Sequence, residues 1–136
     1  MKKIYSKIDP SLLLHQITKL EDIVLGRVDI TDPKEFIQAS ALRPEEGKIF
    51  RPHKHFWRDG EKQMITQECW IVIKGKIKCS YYDTDNALLG EEILGVGDAS
   101  VTYQGGHSVQ VLEKDTIFYE VKPGPYKGRE QDNTSI

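Results

Sequence analysis

The sequence has few of the features that mark specialised classes of protein. It contains two cysteines, Cys69 and Cys79, without a CxxC pair, which excludes a disulfide framework and a thiolate zinc site. We expect both thiols to be reduced and buried. No apolar stretch approaches the roughly 20 residues that cross a bilayer, and no apolar run follows the basic residues after Met1. We therefore expect a cytoplasmic protein without membrane insertion.

An excess of charge of one sign is also missing. Lys and Arg number 19 against 21 Asp and Glu, which gives a formal net charge of −2, and the basic residues are scattered along the chain. This distribution excludes nucleic acid as a favoured partner. The 136 residues, of which 38% are hydrophobic, are enough for the core of one domain and too few for two.

The start of the chain predicts one short helix, and the remainder predicts strands. Asp9 can cap the helix, Pro10 suits its first position, and apolar residues recur at one-turn spacing up to Leu20. Strand-sized runs broken by turn residues follow, and no helices of a parallel sheet fit between them. These runs are 35–42, 48–56, 67–74, 77–82, 88–94, 99–103, 107–112 and 116–122.

This pattern predicts an all-β, single-domain protein with antiparallel strands. We divide the chain into a helical or extended segment at 1–34 that packs on the barrel, a β-barrel at 35–127, and a polar C-terminal tail at 128–136. The tail is expected to be loosely held because it is short, terminal and polar.

Four side chains are candidate metal ligands. His53 and His55 project from one face of a strand, because residues i and i+2 share a face. Glu68 begins an apolar strand, where a carboxylate is costly to bury without a partner. His107 opens a later strand, directly after two glycines. Three imidazoles and a carboxylate suit one divalent transition metal ion (Zn, Fe, Mn or Ni) better than Ca²⁺ or Mg²⁺, which need more oxygen ligands.

These residues resemble the first sequence motif of the cupins, which reads Gly, five residues, His-X-His, a short gap, Glu, six residues, Gly. Gly47, His53, His55, Glu68 and Gly75 stand at these intervals, except that twelve residues separate the second histidine from the glutamate. The cupin gap is usually three or four residues.

The longer gap, residues 56–67, leaves two alternatives to Glu68 as the ligand, namely Glu61 and Gln63. We favour Glu68 because it keeps the six-residue interval to the following glycine. A weaker match to the second cupin motif begins at Gly97-Asp98 and ends at His107, with Tyr103 in place of the usual proline.

Within the cupins, residues 51–55 and 118–126 look like the WbuC-type cupin-fold metalloproteins, often encoded with bacterial surface-polysaccharide genes. The resemblance implies a jelly-roll β-barrel that holds one metal ion through His53, His55, Glu68 and His107. It implies a metal-dependent enzyme that acts on a small sugar-derived molecule or nucleotide sugar in surface-polysaccharide biosynthesis, with isomerase or epimerase chemistry preferred. The alternatives are an Fe(II)-dependent dioxygenase and a non-catalytic metal- or sugar-binding regulatory module.

Glu120 and Arg51 are candidates for contact with a substrate. Glu120 lies in an apolar strand and is either a catalytic base or orienting carboxylate in the pocket, or an exposed partner of Lys122. Arg51 either binds a substrate phosphate or carboxylate as a bidentate fork, or forms an ion pair at the rim.

Four further residues are weaker candidates for substrate binding. Trp57 and Arg58, in the long gap, either cover the pocket or pack at a subunit boundary. Tyr103 and Gln110 lie in the predicted strands 99–103 and 107–112. His15 has no partner nearby in sequence, and no role follows for it.

The strand that carries Glu68 also predicts a second apolar surface. If Glu68 faces inward, then Cys69, Ile71 and Ile73 face outward by alternation and need cover. A second copy of the chain would supply it, which predicts a homodimer. The alternative cover is the N-terminal segment.

Overall fold

The structure, a computed structural model, describes residues 1–58 and 64–136, with backbone alone at 57, 58 and 64. Strands make up most of it, and two helical elements of three and four residues accompany them. The strands are β1 (Lys2–Tyr5), β2 (Leu13–Ile17), β3 (Gly26–Asp29), β4 (Ile37–Arg43), β5 (Ile49–His55), β6 (Trp57–Arg58), β7 (Met64–Ile65), β8 (Glu68–Lys74), β9 (Ile77–Tyr82), β10 (Leu88–Leu94), β11 (Ala99–Thr102), β12 (Gly106–Val111), β13 (Ile117–Pro123) and β14 (Asn133–Ser135). The helical elements are a 3₁₀ turn (Leu20–Asp22) and α1 (Arg129–Asp132).

Two antiparallel five-stranded sheets form the body of the fold. The first sheet has the strand order β10-β9-β12-β5-β14, and the second has the order β11-β8-β13-β4-β3. The prediction of an antiparallel all-β protein is thus confirmed, and the eight predicted strands correspond to β4, β5 and β8 to β13. The jelly-roll connection of these sheets stays a prediction. Within the described residues, no helix is long and apolar enough to span a membrane.

The hydrophobic core lies between the two sheets. Alternation along β8 turns Trp70 and Val72 inward, where they pack with Phe118 of β13 and with Val109 and Val111 of β12. Burying each such side chain contributes about 1.5–3 kcal/mol to folding. Glu68 shares the inward face of β8 and is buried at the end of this core.

One irregularity in the first sheet places both a core residue and a metal-ligand candidate on the same side. In the pairing of β12 with β5, His107 lies opposite His53, but Val109 lies opposite Phe50. Strand β5 therefore contains one extra residue between these two pairs, which is a β-bulge. Because of this bulge, Phe50 packs against the core and His53 still faces His107.

The N-terminal segment covers part of the outer face of the second sheet. Ile23 is buried against Ala41 of β4 and Ile117 of β13, and Ile73 packs onto this group. The N-terminal segment, which was the alternative to a second copy of the chain as cover for this apolar surface, therefore covers Ile73. Cys69, further along the same face of β8, is half-buried, whereas Cys79 is buried in the core.

The predicted N-terminal helix is wrong, because residues 2–17 form the β1–β2 hairpin. Asp9 does accept a hydrogen bond from a backbone amide, but the donor is Ser11, at 3.0 Å. An aspartate that bonds two residues ahead forms an Asx turn, and this turn competes with a helix N-cap. Ser6 reinforces the turn by accepting from the amides of Ile8 and Asp9, both at 3.1 Å.

The C-terminal tail is also more ordered than its composition suggests. Strand β14 pairs with β5, so that Asn133 lies opposite His55 and Ser135 lies opposite His53. The amide of Phe56 donates to the carbonyl of Asp132 at 2.8 Å. The expectation of a loosely held tail is therefore wrong for residues 129–136, which form an edge of the first sheet beside the two histidines.

Candidate metal centre

The four candidate ligands converge between the two sheets. The first sheet supplies His53 and His55 from β5 and His107 from β12, and the second sheet supplies Glu68 from β8. One donor atom from each residue lies within 4.8 Å of the donor atoms of the others. The centroids of the three imidazole rings are 4.6, 5.2 and 5.5 Å apart.

Hydrogen bonds outside the cluster orient two of the imidazoles. His53 Nδ1 lies 3.1 Å from the carbonyl oxygen of Arg51, which can only accept, so Nδ1 carries the proton. Its Nε2 then points a lone pair toward His107 Nε2, which is 3.2 Å away. His107 Nδ1 lies 2.8 Å from the hydroxyl of Thr102. Burial lowers the pKa of His53 and lowers that of His107 to about 3, so both rings are neutral at pH 7.

Glu68 is held by contacts with both oxygens of its carboxylate. Oε1 accepts a hydrogen bond from Trp70 Nε1 at 2.8 Å, and Oε2 lies 2.9 Å from His55 Nε2. Oε2 is also 3.9 Å from His107 Nε2. Burial acts to raise the pKa of Glu68, but the hydrogen bond from His55 and nearby positive charge outweigh burial and lower it. The side chain is therefore an anion among the imidazoles.

His55 lies between two carboxylates. Its Nδ1 is 3.2 Å from Asp132 Oδ2, opposite the side that faces Glu68. Burial disfavours the charged ring, yet contacts with Asp132 and Glu68 outweigh burial and raise the pKa of His55 to about 9. A positive charge is thus favoured at this position, and either a proton on Nε2 or a metal ion beside it can provide that charge.

The donor set fits a divalent transition metal. His53 and His107 are neutral, as metal-binding imidazoles must be, and the carboxylate of Glu68 is ionised. The Asp132–His55 contact is the carboxylate–histidine arrangement that commonly fixes the ring of a metal ligand. The cluster can therefore hold a metal ion, while the identity and number of ions stay predictions.

A cavity of about 420 Å³ opens beside the cluster, and His53, Glu68 and Glu120 line it. The Glu120 side chain is only 11% exposed, and its Oε1 lies 2.9 Å from Arg27 Nη1 and 3.9 Å from Lys122 Nζ. Burial and the negative charge of Glu68 raise the pKa of Glu120 to about 7, against the opposing effect of Arg27 and Lys122. Glu120 is therefore a half-buried carboxylate of the cavity wall, and not an exposed partner of Lys122.

The remaining sequence candidates fall into three groups. Arg51 lines the cavity with an exposed side chain. Tyr103 is 65% exposed after β11, and Gln110 alternates with the inward-facing valines of β12; neither lines the cavity. The side chains of Trp57 and Arg58, and the alternative ligands Glu61 and Gln63, lie outside the described residues.

Sequence reasoning missed three residues that support the site. Asp132 is buried and accepts from Thr66 Oγ1 at 2.9 Å and from Lys122 Nζ at 3.2 Å, in addition to its contact with His55. Arg27 reaches the cavity from the N-terminal segment, and Arg129 reaches it from α1. No local spacing links these residues to the histidines, so the sequence alone carries no signal for them.

Comparison with known proteins shows the fold. No family model matches the chain, and no curated protein matches it either. Among solved structures, KdgF from Halomonas sp. is 19% identical with a TM-score of 0.57, and the match covers 74% of this chain and 80% of KdgF. Oxalate decarboxylase from Bacillus subtilis at pH 4.6 is 20% identical with a TM-score of 0.60 over 81% of this chain.

The chain therefore has the cupin fold, as the sequence motifs implied. The chain spans only 27% of oxalate decarboxylase, and a third similar structure is the coconut allergen cocosin, 10% identical with a TM-score of 0.52 over 64% of this chain and 21% of cocosin. Proteins as different as a decarboxylase and an allergen share this fold, so the fold does not assign a reaction. What the chain combines is a cupin fold and a His-His-Glu-His cluster that can hold a metal ion.

Metal content gives the direct test of the cluster. The purified protein, after exposure to Zn²⁺, Fe²⁺, Mn²⁺ or Ni²⁺, is expected to carry about one metal ion per chain by elemental analysis. The double variant His53→Ala, His107→Ala removes two of four donors and should lose that ion. His15→Ala is the matched control because His15 is exposed on β2. A wild-type protein that holds no stoichiometric metal after reloading would contradict the assignment.

The contact between Asp132 and His55 predicts a second effect on metal binding. Asp132→Asn keeps the shape of the side chain but removes the charge that orients the ring, so the metal dissociation constant should rise by about 10- to 100-fold. Competition with a chromophoric chelator measures this constant. Asp115→Asn is the control, since Asp115 pairs with Arg43 away from the cluster. An unchanged dissociation constant in Asp132→Asn would show that Asp132 does not support the site.

Proposed function

We propose that the protein is a mononuclear metal-dependent enzyme that acts on a small sugar-derived substrate by isomerase or epimerase chemistry. The observation that carries this proposal is the shared lining of one cavity. His53 and Glu68 of the metal cluster and the carboxylate of Glu120 all reach the same 420 Å³ space. A molecule bound there contacts the cluster and a proton-accepting group at once.

In this proposal, His53, His55, Glu68 and His107 hold a divalent transition metal ion. When bound, such an ion supplies Lewis-acid polarisation of a carbonyl or hydroxyl oxygen of the substrate. Trp70 and Thr102 keep two of the ligands in place through the hydrogen bonds already described. The remaining chemistry belongs to the residues of the cavity wall.

Glu120 is the proposed acid–base residue. Its carboxylate takes a proton from a carbon next to the substrate carbonyl, and the C–H electron pair moves toward that carbonyl. In isomerisation, Glu120 returns the proton to the neighbouring carbon; in epimerisation, water supplies a proton to the opposite face and Glu120 releases its own to solvent. Arg27 positions the carboxylate, since its guanidinium donates to Glu120 at 2.9 Å and to Ser40 at 2.6 Å. A pKa near 7 suits both halves of this transfer at neutral pH.

The biological setting is the part of the proposal that rests on sequence resemblance. The similarity of residues 51–55 and 118–126 to WbuC-type proteins supports a role in bacterial surface-polysaccharide synthesis. The absence of a membrane-crossing apolar run supports a cytoplasmic location.

Solvent deuterium exchange tests the proposed reaction. The metal-loaded protein, incubated in D₂O with a panel of nucleotide sugars and sugar acids, should transfer deuterium to a carbon position of at least one of them, as read by NMR. Glu120→Gln should reduce this exchange by about 10²- to 10⁴-fold while the metal content is unchanged. Glu113→Gln is the control because Glu113 forms a surface ion pair with Lys76.

Three outcomes would contradict the proposal. Exchange that survives in Glu120→Gln would remove Glu120 from the reaction. A product that contains oxygen from O₂ and forms only in air would replace the isomerase with the Fe(II)-dependent dioxygenase that the same ligand set permits, whereas a ligand that binds unchanged would indicate a non-catalytic module.

We also propose that the protein forms a homodimer. Next to the outward face of β8, a shallow apolar depression of about 300 Å³ includes Phe36, Ile37, Cys69 and Val101. Phe36 is 66% exposed and Ile37 is 59% exposed, and the N-terminal cluster around Ile23 does not include them. A second copy of the chain would cover this surface.

Sedimentation equilibrium tests the dimer. The wild-type protein should sediment with twice the mass of one chain, and Val101→Glu should shift it toward the monomer because a charge would enter the apolar contact. Leu89→Glu is the control, since Leu89, at 67% exposed, is more accessible than Val101, at 46%, but belongs to β10 of the other sheet. A monomeric wild-type protein at micromolar concentration would contradict the dimer.

A further inference from the structure

We propose that the cavity beside the metal cluster selects a substrate that carries a phosphate or carboxylate group, and that Lys48, Arg51 and Arg129 bind this group. The inference rests on the proposed function, because the same cavity would hold the substrate of the enzyme. It adds that the substrate is a small anion of sugar size. Isomerase or epimerase chemistry does not itself require this negative charge.

The first observation is the charge of the cavity wall. Five described lining side chains are cationic, and two, Glu68 and Glu120, are carboxylates. The oxygens of Glu68 already contact Trp70 and His55. The wall therefore carries a local excess of positive charge in a protein whose formal net charge is −2. Cationic groups gathered on a concave surface attract an anion and raise its local concentration.

The second observation separates the cations that already have partners from those that have none. Arg27 pairs with Glu120 and Asp29, and Lys122 pairs with Asp132. Within residues 1–58 and 64–136, the side chains of the other three cations form no ion pair or hydrogen bond. These three are Lys48, Arg51 and Arg129, and all are exposed. They are thus available to a ligand.

The third observation is the type and origin of these three side chains. A guanidinium forms two parallel hydrogen bonds to one carboxylate or phosphate, and an ammonium adds a point charge. Arg51 and Arg129 come from different elements, β5 and α1, so their charges converge only because β14 joins the C-terminal segment to β5. The pairing of the tail thus completes the anion site as well as supporting His55.

The remaining lining fits the carbon body of a small molecule. Ile49, Phe50 and Tyr126 add apolar surface to the same wall. The volume, about 420 Å³, lies within the range of about 300–1,000 Å³ that is usual for small-molecule sites. An oxyanion at Lys48, Arg51 and Arg129 and a sugar-sized body beside His53 therefore match the cationic and the apolar parts of this lining.

Calorimetric titration of the purified protein tests the substrate class. The probes are glucose 1-phosphate, glucuronate and glucose, which share a sugar ring and differ in charge. At least one anionic probe should bind about tenfold or more tightly than glucose, and its affinity should fall when salt is raised from about 50 to about 500 mM. The phosphate and carboxylate probes together identify which oxyanion the site prefers.

A matched pair of variants assigns the effect to the cavity. Arg51→Gln, Arg129→Gln should weaken binding of the preferred anion by about tenfold or more. Lys7→Gln, Lys114→Gln removes the same net charge from exposed positions outside the cavity lining and should leave the affinity unchanged. Unfolding temperature and metal content, measured for each variant, show whether the fold and the cluster are intact.

The outcomes separate this inference from the proposed function. Glucose that binds as tightly as both anions, no binding of either anion, or an unchanged affinity in the arginine variant would overturn the anion site. Because the titration measures binding without turnover, an anion that binds through these arginines without deuterium exchange would leave the site standing and would contradict the enzyme. Deuterium exchange on a neutral sugar alone would support the enzyme and would overturn the anion site.

Discussion

The interaction on which the site depends is the placement of the His55 imidazole between the carboxylates of Glu68 and Asp132. The side chains of all three are 2% exposed, and a buried carboxylate is costly unless it is paired. Opposite charges offset this cost of burial along a line of alternating charge that ends at the cavity wall. The order is Glu68, His55, Asp132, Lys122, Glu120 and Arg27. Because each charge in this line faces an opposite one, the metal cluster and the cavity wall are parts of one network.

Each of the two sheets contributes different residues to this network. The first sheet contributes the imidazoles, and the bulge in β5 lets His53 face the cluster although Phe50 faces the core. The second sheet contributes Glu68 from β8 and Glu120 from the adjacent strand β13. Glu68 and the imidazoles thus arrive from opposite walls, and a cation bound between them would balance the carboxylate charge and the lone pairs of the rings.

Rules that act within one strand made much of this predictable from the sequence. Alternation put Glu68, Trp70 and Val72 on one inward face, and turn residues separated eight runs that all proved to be strands. What could not be predicted depends on pairing between distant segments. Asp132 belongs to a polar tail whose position is set by hydrogen bonds to β5, and Asp9 offered a hydrogen bond that suits a turn as well as a helix cap. Local spacing cannot choose between such outcomes, because the deciding contacts are tertiary.

The lining of the cavity constrains function more than the fold does. Similar folds occur in a decarboxylase and an allergen, so the arrangement of strands is compatible with many activities. In this chain, Arg51 and Arg129, which form no ion pair among the described residues, and the metal-ligand candidates His53 and Glu68 belong to one wall. In the proposed enzyme, binding energy gained at a part of the substrate that does not react would hold the reacting carbon against Glu120. A neutral sugar would leave Arg51 and Arg129 without a partner among the described residues, and this is the reason for proposing a charged substrate.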